Sequence, residues 1–319
     1  MDKKTAINLK HLAQGDILMA VTSENVEDVC KCIAWLGDED VVVGGHTAII
    51  HHKQNPMYLA YWFQTEDFFT QKRKLAHGTK VIEVTPKKLE DVLIPVPPLE
   101  VQREVVEVLD KFALLTAELT AELEKRKKQY EHYRDKLLNF RGGGALTAFN
   151  EHCILMRGEY ITKKDAASGD IPVILGGQEP AYYINRSNHQ GKGIVISRSG
   201  ASAGFVSYWD EPIFVTDGFI IETDDKLNIR FLYYWLKNLQ GKLNGMKKGG
   251  GVPHITGENL KSLKIPLPTL EKQAEVVALL DKFDKLCNDL TSGLPAEIAA
   301  RKKQYEYYRD KLLNFKRAA

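Results

Sequence analysis

A chain of 319 residues, 44% hydrophobic and 27% charged, has the composition of a folded protein of two or three domains; this excludes a collagenous, fully disordered or disulfide-stapled chain. The formal net charge of +2, from 44 Lys+Arg against 42 Asp+Glu, is too balanced for nucleic-acid binding by bulk charge, although a local basic face stays open. No apolar run reaches the ~18 residues of a membrane span, Met1-Asp2-Lys3-Lys4 leads into no apolar segment, and Cys30, Cys32, Cys153 and Cys287 form no Cys-x-x-Cys pair, so a cytoplasmic protein with reduced thiols, no membrane contact and no zinc site is expected.

In chain order, Asp16–Val21 and Asp40–Val43 read as strands. Asn55–Phe63 reads as a helix capped by Asn55, with Pro56 in its first turn and its aromatic residues toward a core. His46 and His51-His52 lack the cysteines or carboxylates that would complete a metal site. Pro97-Pro98 opens a second helix, in which Leu109, Phe112, Thr116, Leu119, Leu123, Arg126, Tyr130, Tyr133 and Leu137 follow the 3,4 spacing of a heptad seam. Its ~40 residues predict a helix on the order of 60 Å. Arg141-Gly142-Gly143-Gly144 breaks it.

Further on, Gly193–Ser197, Pro212–Thr216 and Gly218–Glu222 are strand-like, Asp224-Asp225-Lys226 is a turn, and Asn228–Leu239 is helical. After Pro266-x-Pro268 a second seam runs Leu280, Phe283, Cys287, Leu290, Leu294, Ile298, Arg301, Tyr305, Tyr308, Leu312. Ser292-Gly293-Leu294-Pro295 interrupts it, and the helix is expected to restart with Pro295 near its first position. A seam needs a partner; pairing of the two helices within the chain is the simplest solution, and spacing leaves their direction open.

The chain repeats itself. Leu89–Phe112 aligns without a gap on Leu260–Phe283, at an offset of 171, and Arg126–Phe140 aligns on Arg301–Phe315 at an offset of 175, differing only at His132 against Tyr307. Tyr61-Trp62 matches Tyr234-Trp235, and Val84-Thr85 matches Ile255-Thr256. Gly15–Met19 takes the place of Gly191–Ile196, so the first copy has only 14 residues ahead of this strand where the second has about 40. The predicted organisation is a first globular segment at 1–97, a helical spacer at 98–141, a second globular segment at 142–266 and a second spacer at 267–319.

These residues resemble the specificity (S) subunit of type I restriction–modification systems. The likeness is strongest in Leu270-Glu271-x-Gln273, Leu294–Ile298 and Arg301–Leu313, which look like that family's spacers, while Ile171–Ile174 through Ile196–Gly204 looks like its target-recognition domain. The resemblance implies two tandem target-recognition domains of mixed α/β (α+β) fold, each followed by a long helix, the two helices pairing as an antiparallel coiled coil; the short front of the first domain is this chain's departure from that pattern. It implies a non-catalytic, sequence-specific DNA-binding subunit that reads a bipartite, asymmetric site in double-stranded DNA. Two methyltransferase subunits and two restriction/translocase subunits would be its partners; S-adenosylmethionine, ATP and Mg would act in them, with no cofactor in this chain. The alternative is a truncated or silent specificity cassette that binds the methylating subunit without reading a complete site.

Base edges are read by Arg or Lys on guanine and by Asn or Gln on adenine, and phosphates by Lys, Arg and small hydroxyls. The candidates in the second domain are Ser197, Arg198 and Ser199 on a glycine-bounded turn, Gln178, the polar stretch with Asn185, Arg186 and Asn188, and Lys247, Lys248 and His254 around a glycine loop. In the first domain Thr22-Ser23-Glu24-Asn25 is expected to replace the Ser-Arg-Ser-Gly turn, a neutral Asn25 standing for a charged arginine, and Lys72, Arg73 and Lys74 to parallel the lysine loop. No phosphate-cradling G-x-x-x-x-G-K-[ST] occurs, and Asn55-Pro56-Met57-Tyr58, a near miss to an amino-methyltransferase motif, is read as a helix start.

Overall fold

The structure, a computed structural model, describes residues 10–39, 41–139, 146–162, 164, 167–176, 179–249 and 251–315. Gln178 and the Arg141–Gly144 break lie outside them. The chain forms two compact units, Met1–Leu123 with Leu290–Ala319, and Glu124–Asp289.

The first unit holds β1 (Lys10–Leu12), β2 (Ile17–Ala20), β3 (Thr22–Ser23), β4 (Cys32–Ala34), β5 (Val41–Val43), β6 (Thr47–Ile50), α1 (Pro56–Trp62), α2 (Glu66–Leu75), β7 (Ile82–Glu83), α3 (Pro86–Leu89) and the first part of α4 (Leu99–Leu137). Its sheet runs β4-β2-β6, all antiparallel. Alternation along β2 buries Ile17 and Met19 completely against Tyr58 and Trp62 of α1, each contributing roughly 1.5–3 kcal/mol. Asn55 caps α1 as expected: its side chain accepts from the Met57 and Tyr58 N–H groups.

The second unit holds the rest of α4, β8 (Leu146–Ala148), α5 (Phe149–His152), β9 (Cys153–Arg157), β10 (Ile171–Ile174), β11 (Tyr182–Ile184), β12 (Lys192–Ser197), β13 (Val206–Asp210), β14 (Phe214–Val215), β15 (Gly218–Thr223), α6 (Ile229–Asn238), α7 (Gln240–Gly245), α8 (Gly257–Lys261), β16 (Lys264–Pro266) and α9 (Leu270–Asn288). Its main sheet runs β13-β12-β15-β9, and a second sheet runs β11-β10-β14. Strands β4, β2 and β6 correspond to β13, β12 and β15 in order and direction; among the described residues the first unit shows no counterpart of β9 at the β6 edge. Asn228 caps α6 as Asn55 caps α1, accepting from Arg230 and Phe231.

The last helix, α10 (Leu294–Leu313), begins after Gly293 with Pro295 in its first turn, so the seam breaks and restarts where the sequence placed the break. In the first unit Phe112 of α4 stacks on Tyr308 of α10, centroids 5.5 Å apart. In the second, Tyr130 and Tyr133 of α4 meet Phe283 of α9, at 6.1 and 5.8 Å.

The spacers exchange their ends. Leu138, at the end of the first spacer, is buried in the core of the second unit with Tyr234 and Leu280. Leu313, its repeat mate, is buried in the core of the first unit with Tyr61 and Leu109. Each unit is thus one globular segment, the start of its own spacer and the end of the other.

The start of each spacer is fixed by the same polar device. Buried Gln102 accepts the Asn55 N–H at 2.9 Å and donates to Pro97 O and Gln54 Oε1, both at 2.8 Å. Buried Gln273 accepts the Asn228 N–H at 2.7 Å and donates to Pro268 O at 2.8 Å and Lys226 O at 3.0 Å. Tyr61 Oη donates to Asp110, and Tyr234 Oη to Asp281, both at 2.5 Å. Burial, then the carboxylate beside each phenol, pushes both tyrosines well above the ordinary phenol range.

Candidate nucleic-acid interface

In the second unit β12 is buried from Gly193 onward and ends at Ser197, whose hydroxyl donates to Gly176 O at 2.9 Å. Ser197 is therefore inside, and the chain surfaces only at Arg198. The Arg198 N–H donates to Asp217 O at 3.1 Å, and Arg198 O accepts from the Ile255 N–H at 2.9 Å, which fixes the turn from both sides. Arg198 Nε donates to Asp217 Oδ1 at 2.7 Å, and the Ser199 hydroxyl donates to Asp217 Oδ2. With Arg157, Gly158, Tyr160, Leu175 and Thr216, Arg198 and Asp217 line a cleft of about 360 Å³.

A hairpin closes one side. Lys248 and His254 exchange backbone hydrogen bonds, both at 2.9 Å, and Ser199 bridges to His254. Gly249 turns this hairpin at φ 108°, and Gly78 turns its counterpart at φ 107°; a Cβ on Gly78 would lie 2.0 Å from Val81 O, so no other residue fits. Lys247 Nζ donates to Ala201 O at 3.0 Å. Arg198, Ser199, Lys247, Lys248 and His254, five of the sequence-predicted residues, are thus gathered at one edge.

The polar stretch 185–190 divides. Asn185 is exposed. Arg186 lies over the Phe214 ring, 4.9 Å from its centroid, and 3.9 Å from Glu159. Asn188 is structural: its amide donates to Val215 O and accepts from the Val215 N–H, both at 2.8 Å. Its amide is already paired in bidentate fashion with the Val215 backbone, the pairing that an adenine edge would need.

The first unit keeps the frame and changes the side chains. The Val21 N–H donates to His46 O at 3.0 Å, and Val21 O accepts from the Val84 N–H at 3.0 Å. His77 and Glu83 exchange backbone bonds at 3.0 and 2.8 Å, as Lys248 and His254 do. Val21, Thr22, His46, His77 and Glu83 therefore stand where Arg198, Ser199, Asp217, Lys248 and His254 stand. This corrects the expected alignment of Thr22–Asn25: Thr22 matches Ser199, with its hydroxyl 3.4 Å from His46 Nδ1, and buried Val21, not Asn25, replaces the arginine. Ser23 pairs with Ile82 in the β3–β7 ladder. Asn25 is spent on a local turn, accepting the Asp28 N–H at 2.7 Å and donating to Asp28 Oδ2 at 2.8 Å.

The expected parallel between Lys72-Arg73-Lys74 and the lysine loop also fails. These residues form the last turn of α2. Lys72 is buried and donates to Glu27 O at 2.9 Å and Val29 O at 2.7 Å, and burial lowers its pKa. It fastens a loop whose Cys30 has φ 64°, with its ammonium spent on those two carbonyls. Arg73 and Lys74 remain exposed. The helical period that placed the lysine inward lay in the sequence, but three adjacent cations gave no sign of which one turned in.

Arg157, Tyr160 and Asp217 escaped the sequence reading. Asp217-Gly218 is a turn dipeptide that could have flagged the last. Arg157 and Tyr160 reach the cleft only through the pairing of β9 with β15, for which no local signal exists. Among the described residues no cluster of His, Cys, Asp or Glu is arranged to hold a metal ion. No helix among them is long and apolar enough to cross a membrane.

Comparison with known proteins fits this architecture. The profile of the type I restriction modification DNA specificity domain matches residues 34–126 and 153–300. A putative type I restriction enzyme specificity subunit of Haemophilus influenzae is 34% identical over 306 residues, covering 88% of this chain and 76% of the relative. The EcoR124I/EcoR124II specificity subunit of Escherichia coli is 33% identical over 253 residues, covering 69% of this chain and 61% of the relative. The fold is that of the type I restriction-modification S subunit from M. genitalium, with a TM-score of 0.63 at 17% identity over 98% of this chain and 86% of that one. A chain from a study of complex assembly and conformational transition of the type I R-M system gives 0.68 at 18% identity, over 96% and 83%. With two copies of the domain matched along most of its length, the chain belongs to the type I restriction modification DNA specificity family.

Proposed function

We propose that the chain is the sequence-reading subunit of a type I restriction–modification complex. It works as the recognition subunit and not as the enzyme. Each unit contacts one half of a split, asymmetric site in double-stranded DNA, and the helices carry the methylating and nuclease subunits. The observation that carries this reading is the pair of turns held by the same backbone hydrogen bonds. The backbone frame around Arg198 and around Val21 is the same, while the side chains it presents differ in charge and size. A duplicated frame with divergent exposed groups suits two half-sites of different sequence.

Matched apolar positions support two methylating subunits per chain. Val108 and Leu115 are exposed two turns apart on α4, and Leu279 and Leu286 repeat them on α9. Two equal faces suit two equal partners. S-adenosylmethionine, ATP and Mg then belong to the partner subunits, and the complex works in the cytoplasm.

Co-expression with the methylating partner, followed by methylome sequencing, should reveal a split motif that vanishes when this chain is deleted. A methylation pattern indifferent to the deletion would refute the reading. One observation favours a second reading, a cassette that docks its partner without reading a complete site: Ile33 of the first unit's sheet is 55% exposed, and Leu18 lines an open hollow of about 660 Å³. In that case the complex would bind duplexes without sequence preference, and its affinity would follow salt alone.

A further inference from the structure

The turn at Arg198 is built in a way that a solvated surface charge does not require. One oxygen of Asp217 accepts from Arg198 Nε at 2.7 Å, while the other accepts the Ser199 hydroxyl. The backbone carbonyl of the same Asp217 takes the Arg198 N–H. The arginine is thus gripped at its backbone and at the root of its guanidinium. Nε is the only guanidinium nitrogen with a hydrogen-bond partner among the described residues, so the two Nη groups keep their paired donors. Those two groups form the fork that meets guanine O6 and N7 in the major groove. The side chain is one-third exposed, at 33%, on the cleft it shares with Arg157 and Tyr160. A fork already held in one orientation loses little rotamer freedom on binding. A phosphate contact would not need that constraint.

The first unit provides an internal contrast. The same backbone frame there holds buried Val21, half-buried Thr22 and exposed His46, so the position carries no forked cation. We infer that Arg198 reads a guanine in the half-site of the second unit, with Asp217 as its positioning residue, and that the matching position of the first unit reads none. This rests on the recognition function proposed above. It adds one base, one reader and one half-site.

The test uses the full chain co-purified with its methylating partner, offered a library of DNA duplexes with randomised positions. Bound sequences are counted for the wild type, Arg198→Ala, Arg198→Lys and Asp217→Asn. The wild type should enrich a split motif with a fixed G·C pair in one half. Arg198→Ala should lose guanine preference at that pair by about 5- to 150-fold, the range of a good bidentate contact; Arg198→Lys, which keeps a donor but not the fork, should lose part of it; both should keep the other half-site unchanged. Asp217→Asn should lose part of the same preference without altering the salt dependence. The retained half-site reports that each variant is folded; if Arg198→Ala loses both halves, Arg198→Lys, which keeps the charge, decides the matter. Uniform weakening over all sequences, with a salt slope shallower by about one, would make Arg198 a phosphate anchor and overturn the inference. So would an Arg198→Ala profile equal to the wild type. Wild-type preference in Asp217→Asn alone would overturn the positioning role. A wild-type complex that enriches no motif would instead strike at the recognition function, which separates the two failures.

Discussion

The two units meet the same buried polar demands at the start of the spacer with the same atoms and differ in the side chains of the turn and in the second face of the sheet. In both, a glutamine one turn into the spacer closes the cap of an aromatic helix, and a tyrosine of that helix reaches an aspartate of the spacer. In both, a left-handed glycine turns the hairpin that braces the exposed turn. The second face of the sheet is where they part. Val195 and Ile220 of the second unit are fully enclosed with Ile174, Ile213 and Val215 of the neighbouring strands. The corresponding Leu18 and Ile49 of the first unit are only partly covered. A duplicated fold holds fast where a lost hydrogen bond would strand a buried group and drifts where water can take its place.

The sharpest way to break this comparison is at the exchanged spacer ends. Leu138→Ala should destabilise the second unit by about 2–5 kcal/mol, and Leu313→Ala should do the same to the first. Hydrogen exchange read separately in residues 229–238 and 56–62 would check it; loosening of the unit that precedes each leucine in sequence would refute the exchange. Next in size, Gln102→Ala and Gln273→Ala each strand a buried N–H and two carbonyls, at a cost of about 1–3 kcal/mol. Comparable losses in thermal unfolding would show the devices to be equivalent, and a loss confined to one would show that only one bears on stability.

Lysines give a contrast between the units of similar or smaller size. Lys72→Met leaves two carbonyls without a donor and should cost about 1–3 kcal/mol of stability, while DNA affinity keeps its salt slope. Lys248→Ala should leave stability within ~0.5 kcal/mol and lower the slope by about one. A reversed pattern in a salt titration would restore the basic cluster of α2 to the interface. The smallest effect concerns pH. Tyr61 and Tyr234 titrate above the ordinary phenol range in the folded chain, so the unfolded chain releases its protons first. Their contribution is complete below about pH 10 and is lost as pH rises beyond it. Tyr61→Phe and Tyr234→Phe should each flatten part of that alkaline decline in denaturant titrations; an unchanged decline would assign it to other groups.

What the sequence determined by itself was local. The proline and glycine breaks, the asparagine cap of α1, the heptad seam and the duplication all depend on neighbours within a few residues, or on the chain compared with itself. Arg198 surfaced for the same reason, since a glycine-bounded turn after an apolar strand must meet solvent. The tertiary structure decided the rest. It sent the end of each spacer to the other unit, a placement made by the packing of Leu138 and Leu313 into cores that no neighbour in sequence announces. It turned Lys72 inward onto two carbonyls and left Lys248 outside, although both lie in equally basic stretches. It set Asp217 against Arg198 across 19 residues of chain, a partnership made by strand pairing and not by sequence distance.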